Sequence, residues 1–282
     1  MFRPERTTSR PAVGNLAKLA LAPLVIGSLL AATTTGAAAS HDRGSSRAKP
    51  TVVLVHGAFA DASSWADVIK RLRRDHYRVI AVANPLRGLH DDAAYVRSLL
   101  DTVQGPVILA GHSYGGSVIT QAAAGNPNVK ALVYIAAFIP ATGENAAELA
   151  AKFPGSTLGD TVSSASYPLP GGGTGTELTI KQDRFHQQFA ADVPDATAAV
   201  MAATQRPVST AALEEKATET AWKTIPSYAL VAGRDLNIPP KAQKWMAERA
   251  DAHTVTVPGA SHAITVSEPS EVADLIRRAA RD

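Results

Sequence analysis

Ser113 is the residue of this chain best placed to act as a nucleophile. It stands in Gly111-His112-Ser113-Tyr114-Gly115, after the apolar run Val107-Ile108-Leu109-Ala110 and before a small-residue stretch from Gly116 to Ala124. That is the G-x-S-x-G pattern, read as a strand, a tight turn and a helix. A serine hydroxyl is a weak nucleophile and must be held exposed beside a base. A sharp strand-to-helix turn does this but crowds the neighbours of the serine. Glycine at 111 and 115 removes the Cβ atoms that would collide. The first turn of the helix also directs backbone N–H groups at any anion formed there.

A serine of this kind needs a base, and the base needs an orienting group. In an open parallel sheet, functional residues collect where strands end at their carboxyl sides. Two residues meet that condition. Asp235 follows the run Tyr228–Ala232, in Gly233-Arg234-Asp235, and His262 follows His253–Val257, in Gly259-Ala260-Ser261-His262. The expected roles are nucleophile for Ser113, base for His262 and orienting acid for Asp235. His56-Gly57 ends the first apolar run, so the backbone N–H groups of Ala58 and Tyr114 are the expected pair of oxyanion donors. Asp251 and Glu268 flank the last strand and the last helix and are the competing carboxylates. The other histidines read as structural. His56 is expected to pack under the oxyanion loop and His112 to point away from substrate.

The elements that position these groups follow from periodicity. Val52–Val55 is a continuous apolar, β-branched run, as expected of a strand buried on both faces, and Tyr77–Ala83, Val107–Ala110, Val129–Ala137, Pro226–Ala232 and His253–Val257 read as further strands. Between them lie helical stripes at i, i+3, i+4, i+7: Trp65, Val68, Ile69 and Leu72 in one, Val272, Leu275, Ile276 and Ala279 in another. The alternation predicts an α/β fold, a doubly wound and mostly parallel sheet with helices on both faces. The rhythm breaks over residues 141–224, which read as an inserted, partly helical cap. Gly171-Gly172-Gly173, with Pro168 and Pro170, marks a flexible turn in it, a segment with little local structure to hold it that is expected to move as a lid. Phe153, Tyr167, Phe185, Phe189 and Met201 are its candidates for pocket lining. Tyr167 and Phe185 are the two through which the cap is expected to govern substrate choice.

The first 40 residues differ from the rest. Arg3, Arg6, Arg10 and Lys18 precede an apolar run from Leu19 to Ala32, and Ala37-Ala38-Ala39 is a small-residue cleavage signal. Residues 1–39 are therefore expected to be a secretory signal peptide, residues 40–50 a disordered lead-in, and residues 51–282 the folded domain. Pro23 and Gly27 interrupt the apolar run, which is shorter than a membrane-spanning helix needs, so no stable membrane insertion is expected. The whole net charge of +3 resides in this segment; the remainder has as many basic as acidic residues, which argues against a nucleic-acid partner. The chain has no cysteine, no HExxH and no G-x-G-x-x-G after a strand. Neither a metal nor any other cofactor is expected.

The stretch Val53-Leu54-Val55-His56-Gly57-Ala58, the elbow Gly111-His112-Ser113-Tyr114-Gly115-Gly116, Gly233-Arg234-Asp235 before Ile238-Pro239-Pro240, and Ser261-His262 together resemble the α/β-hydrolase fold family. Within it the chain is similar to the compact branch of salicylate-binding methyl esterases, hydroxynitrile lyases and bacterial carboxylesterases. The resemblance spans about residues 51–280. It implies the order Ser113, Asp235, His262 for nucleophile, acid and base, with Ala58 and Tyr114 as oxyanion donors. The implied activity is cleavage of small to medium carboxylic esters, with a small-molecule ester as the substrate. Two other readings use the same fold. Hydroxynitrile lyases resemble one another in having Thr and Lys where this chain has Gly57 and Ala263, which favours the esterase. A ligand receptor with little turnover is the other alternative.

Overall fold

A computed structural model describes residues 49–282. The signal peptide expected over residues 1–39, and all of the 40–50 lead-in but its last two residues, lie outside the described residues. The first half of the fold alternates strand and helix: β1 (Thr51–Val55), α1 (Ala66–Arg74), β2 (Val79–Val82), α2 (Leu89–Thr102), β3 (Val107–His112), α3 (Tyr114–Ala122) and β4 (Val129–Ile135). An insertion follows, with α4 (Ala146–Ala151), α5 (Leu158–Thr161), β5 (Val162–Pro168), β6 (Thr174–Ile180), α6 (Gln182–Phe189), α7 (Asp195–Thr204), β7 (Val208–Ser209) and α8 (Thr210–Glu214). The alternation then resumes through β8 (Ser227–Ala232), α9 (Pro240–Arg249), β9 (His253–Val257), α10 (Ile264–Ser267) and α11 (Pro269–Ala279).

Six of these strands pair in parallel in the order β2-β1-β3-β4-β8-β9. Side chains alternate across each strand, so one apolar run feeds two cores. Val52 and Leu54 of β1 join Trp65, Leu72 and Ile276 on one face, where α1 and α11 lie. Val53 and Val55 join Val96, Leu100, Val118 and Met246 on the other, covered by α2, α3 and α9. Burial on both faces is why β1, β3 and β8 read as largely apolar runs, whereas β9, at the edge of the sheet, exposes Thr254 and Thr256. The chain leaves β1 toward β2 and returns to β3 on the other side of β1, so the strand order reverses between β1 and β3. Carboxyl ends at such a reversal are where open α/β sheets bind ligands. His56–Phe59 and Ser113 stand at the ends of those two strands.

The insertion differs from the sequence expectation in one respect. Part of it is an antiparallel hairpin, β5 with β6, to which β7 adds a third strand, and Gly171–Gly173 lies at its tip. Ser163, Ser164, Ala165 and Ser166 of β5 are all exposed, so no apolar alternation marks the strand in the sequence. The hairpin is latched to the sheet domain. Arg87, past β2, donates to Glu177 at 2.7 Å and lies over the Tyr167 ring at 4.5 Å from its centroid.

Candidate active site

The turn between β3 and α3 places Ser113 at φ 55° and ψ −124°, with Tyr114 opening the helix. The surroundings hold that strained backbone in place: Ser113 N–H donates to Ile135 O at 3.1 Å, and Ser113 O accepts from Gly116 N and Phe138 N. The glycines are needed for contact. A Cβ on Gly115 would stand 2.5 Å from Val55 O, and one on Gly57 would stand 2.6 Å from Ser113 Cβ. Side chains at either position would separate the end of β1 from the serine.

Ser113, Tyr114, Ala58 and His262 all line one cavity of about 420 Å³. The N–H groups of Ala58 and Tyr114 make no hydrogen bond to another group among the described residues, which leaves two backbone donors on this cavity. Ser113 Oγ likewise has no partner among the described residues. Contacts between a nucleophile and its base often tighten only when substrate binds.

His262 is 1 % exposed and Asp235 2 %. Asp235 Oδ2 accepts from His262 Nδ1 at 2.6 Å and from Gln243 Nε2 at 2.8 Å. Asp235 Oδ1 accepts from the backbone N–H groups of Asn237 and Ile238. Because a carboxylate only accepts, the proton of a neutral His262 sits on Nδ1, leaving Nε2 bare. Neither Asp251, which is exposed, nor Glu268 bonds to His262.

The loop bearing His262 is held from two sides. His112 Nε2 donates to His262 O at 2.9 Å. Burial, and then the neighbouring His262, hold the His112 imidazole well below its ordinary pKa, so it is neutral. The insertion supplies the other side. Asp192 accepts from Ser261 N–H at 3.0 Å and from the Ser261 hydroxyl. Phe189 O accepts from Ala263 N–H at 2.9 Å, and the Phe189 ring meets the His262 ring edge-on at 4.9 Å. At the end of β1, His56 accepts from Asn84 N–H through Nε2 and donates from Nδ1 to Gly57 O. Burial lowers its pKa as well.

Tyr114 turns its side chain away from the cavity into the core, where its hydroxyl donates to Asp92 Oδ2 at 2.8 Å. Asp92 Oδ1 accepts from Arg87 N–H. Burial pushes the Asp92 carboxyl up to about 6.

The five cap residues expected to line the pocket do not line this one. Its cap wall is aliphatic, with Ala146, Ala150, Leu158, Val162, Leu178 and Leu213. Phe185 and Phe189 instead stack on each other at 4.9 Å between ring centroids, inside the core. Tyr167 is held at the hairpin by Arg87. Phe153 packs on Trp245. Met201 faces a second cavity. Gln243, Asn237, Asp192 and Asp92 support the site and were not singled out by sequence. Gln243 lies on α9, Asp92 on α2, Asp192 in the loop after α6 and Asn237 in the loop of Asp235, and no local motif marks them.

Comparison with known proteins identifies the family. Residues 52–275 match the model of the Alpha/beta hydrolase family. The chain belongs to that family. Over 257 residues it is 27 % identical to Esterase PIR7B of Oryza sativa subsp. japonica, covering 82 % of this chain and 96 % of that protein. A 106-residue stretch, 33 % of this chain and 44 % of the relative, is 33 % identical to a carbendazim hydrolyzing esterase of Nocardioides sp. (strain SG-4G). The structure of polyneuridine aldehyde esterase superposes with a TM-score of 0.71 at 20 % identity, covering 82 % of this chain and 99 % of that one. A pyrethroid hydrolase from Sphingobium faniae JZ-2 gives 0.66 at 23 %, with 82 % and 97 % covered. These two likenesses show the shared fold.

Proposed function

We propose that the protein is a secreted serine hydrolase that cleaves small to medium carboxylic esters through an acyl-enzyme on Ser113. The observation that carries the reading is one arrangement: Ser113 and His262 on the same cavity, with Asp235 bonded to the far nitrogen of the His262 ring. Ser113 Oγ attacks the ester carbonyl carbon while His262 Nε2 takes its proton. The oxyanion is received by the N–H groups of Ala58 and Tyr114, which have no other partner among the described residues. The carbon–oxygen bond to the alcohol then breaks, and the alcohol leaves with the proton from His262. Water, activated in turn by His262, releases the acid. Asp235 holds the ring in the tautomer this sequence needs and favours the imidazolium formed on the way.

The aliphatic cavity wall supports an apolar acyl group over a charged one. The names of the relatives support an ester bond as the one cleaved. Ala263 offers no cation of the kind found after the catalytic histidine in hydroxynitrile lyases, which supports hydrolysis. Export rests on the basic start, the run Leu19–Ala32 and the Ala37–Ala39 signal.

Fluorophosphonate labelling tests the nucleophile. The wild-type protein is expected to label at Ser113, and Ser113→Ala to lose both labelling and turnover across a panel of esters of graded acyl length. Labelling that survives in Ser113→Ala assigns the nucleophile elsewhere.

A further inference from the structure

Phe59 follows the oxyanion donor Ala58 and has φ 59°. Bulky L residues avoid that region, and glycine adopts it freely. A phenylalanine held there is fixed by what surrounds it. It is 4 % exposed, and it lines two cavities at once. One is the Ser113 cavity. The other, also about 420 Å³, lies between the segment after β1, helix α7 with Val200 and Met201, and helix α10 with Thr265 and Val266.

The chemistry gives the two cavities different ends of the substrate. His262 must pass its proton to the departing alcohol, so the alcohol portion of the ester lies on the His262 side. Thr265 and Val266 follow His262 by three and four residues and form part of the second cavity. The aliphatic wall of the first cavity, from Ala146 to Leu213, is left for the acyl portion.

We infer that Phe59 sets the size of the alcohol portion, by closing the Ser113 cavity off from the second cavity. The inference rests on the esterase reading above. With the ring in place the alcohol portion is short. With the ring removed, a longer alcohol portion extends into the second cavity, toward Met201 and Val266. The bond changes are the same in both cases. The Ser113 Oγ–carbon bond forms, the carbon–alkoxide oxygen bond breaks, and the proton on His262 Nε2 moves to that oxygen.

Two substrate series test it. One keeps the acetyl group and varies the alcohol from methyl to 2-(2-naphthyl)ethyl; the other keeps the methyl alcohol and lengthens the acyl chain from acetate to hexanoate. Phe59→Ala is expected to raise the ratio of kcat/KM for the naphthylethyl ester over the methyl ester by about tenfold or more, as burial of an aromatic ring permits. Phe59→Leu is expected to give a smaller rise and serves if the alanine variant does not fold. Met201→Trp, added to either variant, fills the second cavity and is expected to cancel the gain. The acyl series is expected to keep its order throughout. Fluorescence titration with 2-(2-naphthyl)ethanol needs no turnover: Phe59→Ala is expected to bind it about tenfold tighter than the wild-type protein, and Phe59→Ala/Met201→Trp to lose the gain. An unchanged alcohol ratio in both Phe59 variants, an equal shift in the acyl series, or binding indifferent to Met201→Trp overturns the inference. If the wild-type protein hydrolyses no ester, the esterase reading fails, and the titration alone decides the role of Phe59.

Discussion

Asp235 Oδ2 accepts from His262 Nδ1 at 2.6 Å while Gln243 donates to the same carboxylate oxygen at 2.8 Å, so the carboxylate is fixed in place independently of the histidine ring it meets. Replacing Asp235 by Asn keeps the side-chain shape but offers an N–H or a neutral oxygen where the carboxylate was, and can stabilise the wrong ring tautomer. Asp235→Asn is expected to lower kcat by about 10⁴-fold, the order associated with neutralising such an acid. Circular dichroism is expected to show a folded protein. Near-normal turnover in this variant, with loss on substituting Asp251 or Glu268, would move the orienting role to one of those residues.

Asp92 gives a stability prediction with a definite sign. Its carboxyl is raised to about 6 in the folded protein, from an ordinary 3.8. The folded state therefore holds this proton more tightly than the unfolded chain. The associated stability is fully present below pH 3.8 and is lost as pH rises through about 6, by roughly 3 kcal/mol in all. Asp92→Asn cannot ionise. Urea unfolding of both proteins at each pH is expected to show wild-type stability declining relative to the variant between about pH 4 and pH 7. His56 and His112 act in the opposite sense, since their lowered values give stability present above the ordinary histidine value and lost in acid. They are common to both proteins, so the difference between the two curves isolates Asp92. Parallel curves across that window would refute the assignment.

Gly57 is a position where one methyl group is expected to cost activity out of proportion to stability. A Cβ there would lie 2.6 Å from Ser113 Cβ and 2.7 Å from His112 O. Neither neighbour is the far end of a flexible chain, so the loop carrying Ala58 must move. Gly57→Ala is expected to lose about 1–3 kcal/mol of stability through overpacking. It is expected to lose about 10²–10³-fold in kcat, the effect of withdrawing one oxyanion donor. KM should change much less, and a KM effect alone would argue against Ala58 as a donor.

The proposed export signal predicts a mature chain beginning near Ser40, after Ala39. Intact-mass measurement on protein from the culture medium checks this. A cell-bound product that still begins at Met1 would count against secretion.

The parallel sheet was legible because β1, β3 and β8 are buried along their whole length and carry apolar runs, while β9 at the edge is a short β-branched run of Thr and Val. The positions of Asp235 and His262 were legible because each follows such a run by a few residues. The hairpin β5–β6 was not, since four consecutive residues of β5 face solvent and none is large and apolar. Pocket lining was misjudged for a related reason. Large aromatics in the insertion suggested a pocket, but Phe185 and Phe189 fill the core and the cavity wall is made of alanine, valine and leucine. Size in a sequence reports burial, and burial against protein looks the same as burial against substrate. The supports from Asp192 and His112 join positions 69 and 150 residues apart from their partners, beyond the reach of any periodicity, and Gln243 meets Asp235 across the turn between β8 and α9, where no single period holds.

The bonds from Phe189 and Asp192 to the residues on either side of His262 divide the insertion into two parts with unequal freedom to change. The hairpin β5–β6 touches neither Ser261 nor Ala263 through these bonds, so it is the portion open to exchange. An engineer transplanting a cap from a relative would splice ahead of α6 and keep residues 182–193 native. A donor segment replacing that stretch would have to bring its own acceptors for Ser261 N–H and Ala263 N–H, or the chimera would inherit a new pocket and a displaced base together.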